Sequence, residues 1–181
     1  MRACPGDALD GRTYEAHVAP CDTFVHLVGT PKPSPRKAAE FERVDFVSAR
    51  EAVAAATGGG IAHFVYLSVA QPANVMRAYV DVRARGEALV RATGLQATFL
   101  RPWYVLGPGH RWPYALLPMY WLLKAVPPTR DRARRLDLVS LPRMLGALVH
   151  AVEHTPDTSP RIVDVPELRR ALPLRPRRVR L

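Results

Sequence analysis

The segment 63–110 decides the fold. It reads HFVYLSVAQP (63–72), then VMRAYVDVRARGEALVRATGL (75–95), then QATFLRPWYVLGPGH (96–110). The run at 61–69 is almost continuously apolar, which is the pattern of a strand buried on both faces. The next block has helical character and is closed by Gly94. The third block is a second strand, expected over 97–100, that breaks at Arg101-Pro102 into a turn holding Gly107, Pro108 and Gly109. Strand, helix, strand in this order predicts a parallel pair joined by a crossover.

Working outward, TFVHLV at 23–28 forms a shorter apolar strand ended by Gly29, and the Pro-rich TPKPSP follows. A helix is expected over 37–57. Phe41, Val44, Val47 and Val53 lie on one face of it, and Gly58-Gly59-Gly60 stops it. Beyond the central block the spacing predicts a helix over 113–126, a basic loop, a strand at 136–139, a helix from Pro142 to about 154 and a last strand at 162–165. Strands alternating with helices give an α/β class: a Rossmann-like parallel sheet flanked by helices. The domain is expected over 1–168, with a basic, flexible tail at 169–181.

With 181 residues and 48% hydrophobic content, the chain suits one globular domain. Its net charge is +10, which raises the question of nucleic acid. The base is almost all Arg, with Lys only at 32, 37 and 124, and much of it sits in 130–135 and 169–180. That distribution, beside abundant Ala, Val and Pro, is the usage of a GC-rich genome, and no nucleic-acid partner is expected. Cys4 and Cys21 do not make a disulfide framework, so a reducing compartment, the cytoplasm, is expected. The opening MRACPGDALDG has no apolar core of a secretory signal. The longest apolar run, 114–126, contains Lys124 and is too short to span a bilayer.

Several residues carry possible chemistry. Tyr79 and Arg83 are four apart on one helix and project from one face. A fixed cation beside a phenol favours the phenolate and brings it toward a working range for proton transfer. Ser68 closes a parallel strand, where such sheets place ligands, and has a hydroxyl to offer a substrate carbonyl. The same residues also suit an exposed helix pair and a strand-end cap. Arg101-Pro102-Trp103-Tyr104 reads either as a wall beside a cofactor or as a rigid loop with two packed aromatics. The pattern His150-Ala-Val-Glu153-His154 imitates an inverted zinc-protease motif. It falls in the last turn of a helix, where histidine suits the helix dipole, and no third ligand can be named, so no metal is expected.

In the order DTFVHLVG, RVDFVSAREAVAAA, HFVYLSVAQP, AYVDVRARGEALVRATGL and TFLRPWYVLGPG, the segment 22–156 resembles the atypical short-chain dehydrogenase/reductase superfamily. The branch it is most similar to is that of the NmrA-like and complex-I-accessory-subunit-like NAD(P)-binding proteins. The resemblance implies a Rossmann-like fold that binds NAD or NADP, and a small-molecule partner, either the dinucleotide or a carbonyl or sugar-like substrate. On that pattern His26, Leu27, Val28 and Gly29 border the adenine side. Ser68, Tyr79 and Arg83 take the catalytic Ser, Tyr and Lys positions. Pro102, Trp103, Tyr104 and Val105 line the nicotinamide.

Two departures set further expectations. Arg83 stands where active members carry Lys, and a planar guanidinium cannot copy a compact ammonium. This opens the alternative of a non-catalytic sensing, regulatory or assembly protein. The family's opening strand, glycine turn and helix are also not in this sequence, so the fold is expected to be N-terminally truncated and dinucleotide binding impaired. For the same reason the outer edge of 23–28 is expected to be open to self-association.

Overall fold

The computed structural model describes residues 3–19, 21–73, 75–107 and 136–174. Four strands, β1 (Thr23–His26), β2 (His63–Leu67), β3 (Gln96–Leu100) and β6 (Arg161–Val163), form one sheet in the order β1-β2-β3-β6. All three pairings are parallel, with Phe24 opposite Phe64, Val65 opposite Thr98, and Leu100 opposite Val163. The expected adjacency of the three central strands is what the sheet shows. Two further strands, β4 (Tyr104–Leu106) and β5 (Leu138–Ser140), pair in parallel in a small separate sheet.

Side chains alternate across the main sheet and feed two cores. Phe24, Phe64, Tyr66 and Phe99 point to one face, where they meet α2 (Val47–Gly58), preceded by a single helical turn, α1 (Ala38–Glu40). The helix α3 (Arg77–Ala92) covers the same face through Val90. Val65, Leu100 and Val163 point to the other face, against α4 (Leu141–Glu153) and α5 (Val165–Arg170). Phe24 stacks on its cross-strand partner Phe64, with ring centroids 5.3 Å apart and planes 4° apart. The fully buried Phe64 contributes on the order of 2–3 kcal/mol.

The element boundaries moved where local backbone chemistry overruled the apolar pattern. The helix expected over 37–57 is continuous only in outline: α1 passes into a π-helical stretch, Phe41–Phe46, before α2 begins. The wider turn brings both Phe41 and Asp45 fully inside, and the buried face then follows Ser48, Ala49, Ala52 and Val53. Val44 and Val47, expected on that face, are only half-buried. β1 stops at His26, two residues early, and Leu27 is exposed. The last strand ends at Val163 because the Asp164 side chain accepts from the Glu167 amide and starts α5. That helix runs through Arg170, and Arg169 pairs with Asp137, so the segment read as tail from 169 begins folded. The expected helix at 113–126 and the basic loop at 130–135 lie outside the described residues. Among the described residues no helix is long and apolar enough to cross a membrane.

Candidate functional site

The inner face of α3 is a polar ladder. Tyr79, Arg83 and Glu87 recur every fourth residue and meet the carboxyl end of β2. Arg83 is 3% exposed. Its Nη1 donates to the Leu67 carbonyl at 2.9 Å, and its Nη2 lies 2.7 Å from Asp45 Oδ1. Asp45 Oδ2 in turn accepts from the amide and the hydroxyl of Thr30, at 3.0 and 2.6 Å. One buried carboxylate therefore ties the π-helical turn to α3 and to the loop after β1. Gly29 lies in that loop with its α-carbon against the guanidinium, and a Cβ there would collide with Arg83 Nη2.

One turn further along, Glu87 is a second buried acid. Its carboxylate takes a two-pronged contact from Arg101, at 2.8 Å to Nε and 2.5 Å to Nη2. Arg91 adds a third cationic contact at 3.1 Å. The Ser68 hydroxyl donates to Glu87 Oε1 at 2.6 Å, and Gln71 donates to the same oxygen at 3.2 Å. Arg101 directly follows β3, so Glu87 fixes where the chain departs toward Pro102 and β4.

The residues expected to act together are thus brought to one strip. Tyr79 is half-buried, its ring 5.0 Å from Phe41 and 5.3 Å from the Arg83 guanidinium carbon. The strip does not join them into a proton relay. The Ser68 proton is committed to Glu87, and the Arg83 charge is directed to Asp45. The role expected for Ser68 on a substrate carbonyl requires its hydroxyl to leave Glu87, whereas Arg83 acts on Tyr79 from 5.3 Å while it is held by Asp45.

The segment expected to border a dinucleotide follows β1. His26 is buried and stacks on Tyr66 at 5.5 Å, and among the described residues its Nε2 has no hydrogen-bond partner. Burial, reinforced by the Arg83 charge, pushes its pKa down to about 3, so the ring is neutral at physiological pH. Leu27 is exposed, and Val28 and Gly29 are half-buried. The segment expected at the nicotinamide leaves β3: Pro102 is buried, its carbonyl accepts from the Ala70 amide at 3.0 Å, and Trp103 meets Tyr104 edge to face at 5.7 Å. Both segments lie at carboxyl ends of parallel strands, where α/β sheets bind ligands. The described residues contain no glycine turn leading into a helix N-terminus, the feature that cradles a pyrophosphate.

Burial also moves other groups. The Arg83 charge is opposed by desolvation, yet Tyr79, Tyr66 and Asp45 hold it protonated above the ordinary arginine range. The Tyr66 phenol is pushed up by burial, which the neighbouring Arg83 guanidinium partly offsets. His150 and His154 stack on each other at 4.2 Å at the end of α4. Among the described residues no cluster of three His, Cys, Asp or Glu side chains is placed to hold a metal ion.

No protein-family model matches the chain, and no curated protein matches its sequence. Solved structures do match. The Bordetella bronchiseptica enzyme WbmH in complex with NAD+ superposes with a TM-score of 0.59 at 18% identity, over 84% of this chain and 58% of that one. UDP-glucuronic acid 4-epimerase from Bacillus cereus, in complex with NAD, gives 0.63 at 15% identity, over 87% and 57%. A short-chain dehydrogenase/reductase superfamily protein from Agrobacterium tumefaciens, with bound NAD, gives 0.61 at 15% identity, over 87% and 63%. The fold is the one these enzymes share. The Rossmann-like expectation holds at the level of architecture, and the chain spans about three-fifths of the length of these neighbours.

Asp45, Thr30 and Glu87 were not singled out from the sequence. Glu87 had a signal, since it extends the Tyr79–Arg83 spacing by one more turn. Asp45 had a weaker one, a lone acid between Val44 and Phe46 in an otherwise apolar face.

Proposed function

We propose that this chain is part of an NAD(P)-binding protein of the atypical short-chain dehydrogenase/reductase type, placed in the cytoplasm. In this reading the dinucleotide lies across the carboxyl ends of β1, β2 and β3, between the walls 26–29 and 102–105. The observation that carries it is the adjacency of three parallel strands whose outgoing loops converge at Thr30, Ser68 and Pro102. The whole protein, on this reading, is an oxidoreductase or epimerase acting on a small carbonyl or sugar-like substrate, with Tyr79 as the proton-transferring group and Ser68 and Arg83 beside it.

A second reading is favoured by the Arg83–Asp45 ion pair. A cation neutralised by a buried carboxylate is a strut rather than a tuner of the Tyr79 phenol, which suits a non-catalytic NAD(P)-sensing, regulatory or assembly protein. The two are separated by titrating NADH and NADPH while following backbone amide shifts, then assaying hydride transfer. Weak binding that moves Val28, Gly29 and Trp103 supports the cleft, and absence of any shift there overturns it. Binding without turnover under any carbonyl substrate, in a protein that includes a complete pyrophosphate site, selects the second reading.

A further inference from the structure

The face of the sheet opposite α3 holds a cavity of about 550 Å³ that the proposed dinucleotide cleft does not use. It lies where β6 begins and α4 ends. Its floor includes Thr98 and Val163, and α4 lines one side with Ala147 and Ala151. The opposite wall is the chain leaving α5, from Ala171 to Leu174. That wall is a built feature. The Leu172 carbonyl crosses α4 so closely at Gly146 that any side chain there would collide with it. The Leu174 amide then donates to the Pro142 carbonyl at 2.8 Å, pinning the crossing segment to the first turn of α4.

The volume falls within the range of about 300–1,000 Å³ that small-molecule pockets occupy. The interior is mainly alanine, valine, leucine and proline. The charged lining is balanced: Arg161 and Arg170 stand against Glu153 and Glu167, and Arg161 is already bonded to Glu167 at 2.7 Å. Such a lining gives no net attraction to an anion or a cation, and its mostly apolar surface rewards apolar area. The Thr98 hydroxyl on the floor is engaged with His63 Nε2 at 2.9 Å.

We propose that this cavity is a binding site for an uncharged, largely apolar small molecule with an aromatic or short alkyl body. The site is separate from the cleft at the carboxyl ends of the strands and stands whether or not that cleft binds a dinucleotide.

The test uses the full chain and phenylnaphthylamine, an uncharged fluorescent aromatic amine, beside its sulfonated analogue. Saturable single-site binding of the uncharged probe, tighter than that of the sulfonate, is expected. Ala171→Trp, at a partly exposed wall position, fills the cavity and should weaken binding by about tenfold. Val149→Gln makes the mouth polar at an exposed helix position and should weaken it in the same direction while preserving the fold. Unchanged affinity in both variants, or tighter binding of the sulfonate, overturns the proposal. A chain ending at Leu174 provides the last arm. Equal affinity supports a free cavity, whereas a several-fold gain on removing 175–181 would make that segment the natural occupant and overturn the small-molecule assignment.

Discussion

Arg83 and Asp45 form an ion pair at 2.7 Å with side chains 4% and 0% exposed. A buried pair adds little over an apolar pair of the same shape, but losing one member strands the other charge. Asp45→Ala should therefore destabilise the protein by about 3–5 kcal/mol, read as a lower urea midpoint. The double change Asp45→Leu with Arg83→Met should recover most of that loss. A single-variant cost below about 1 kcal/mol would mean that water reaches the pair.

The same pair sets the tolerance of the loop after β1. In Gly29→Ala the new methyl group meets the guanidinium, which must leave Asp45 or push the loop away. Overpacking of this kind costs about 1–3 kcal/mol. The cost should shrink in an Arg83→Met background, because the colliding group is gone. Equal costs in both backgrounds, measured as a double-mutant cycle, would show that the loop yields rather than the arginine.

How much of this was legible in the sequence depends on what each residue had to signal. The strands expected at 61–69 and 97–100 announce themselves because burial on both faces demands largely apolar runs. Of the small sheet, β5 was legible as the strand expected at 136–139 but β4 was not, since Tyr104–Leu106 is three residues long and follows a proline, which reads as turn. The π-helical turn hid Asp45, because inserting one residue into a turn rotates every later position and defeats a fixed period. The Ser68 and Arg83 positions were visible, but their partners were not: hydrogen bonds to Glu87 and Asp45 span 19 and 38 residues of chain and exist only in the folded state.

His26 makes folding sensitive to acid. Its folded pKa of about 3 lies below the unfolded value near 6.5, so the unfolded chain binds the proton first. Stability from this group is full above pH 6.5 and declines as the pH falls toward 3. The loss between neutral pH and pH 5 is about 2 kcal/mol. Arg83 from α3 and the stacked Tyr66 from β2 both face the ring, and neither changes charge in that window. His26→Phe keeps the stack and should remove this share of the slope, measured as the difference between urea unfolding curves of the two proteins. Parallel pH dependence in both would place the acid sensitivity elsewhere.

Glu87 couples α3 to the departure of the chain from β3. Glu87→Gln keeps the shape and removes the charge that Arg101 and Arg91 share. It should cost about 2–3 kcal/mol and speed amide exchange at Tyr104–Leu106 more than at Phe64–Tyr66. Exchange rising equally at both places would indicate global destabilisation only, with no special hold of Glu87 on the loop.

The last prediction concerns the outer edge of β1. The strand pairs with β2 on one side, and among the described residues no other strand lies on its far side. Residues 11–18 form two short helical turns that pack on α2 through Gly11 and Val18, and their backbone–backbone hydrogen bonds close turns within residues 10–21. Among the described residues no strand therefore meets the outer N–H and C=O groups of this edge, which lie beside apolar Phe24 and Val25, with Leu27 exposed just beyond. Edges of this kind invite pairing with another chain, and the usual protection, a charged residue on the strand, is missing from Thr23–His26 at neutral pH. The protein should self-associate as its concentration rises, seen by sedimentation, and the association should survive high salt because it is carried by backbone bonds and apolar contact. Leu27→Lys places a charge at the exposed end of the edge and should shift the equilibrium toward monomer without lowering the urea midpoint. Sedimentation as a monomer at every concentration, with slow amide exchange across 24–26, would show that the edge is covered within one chain.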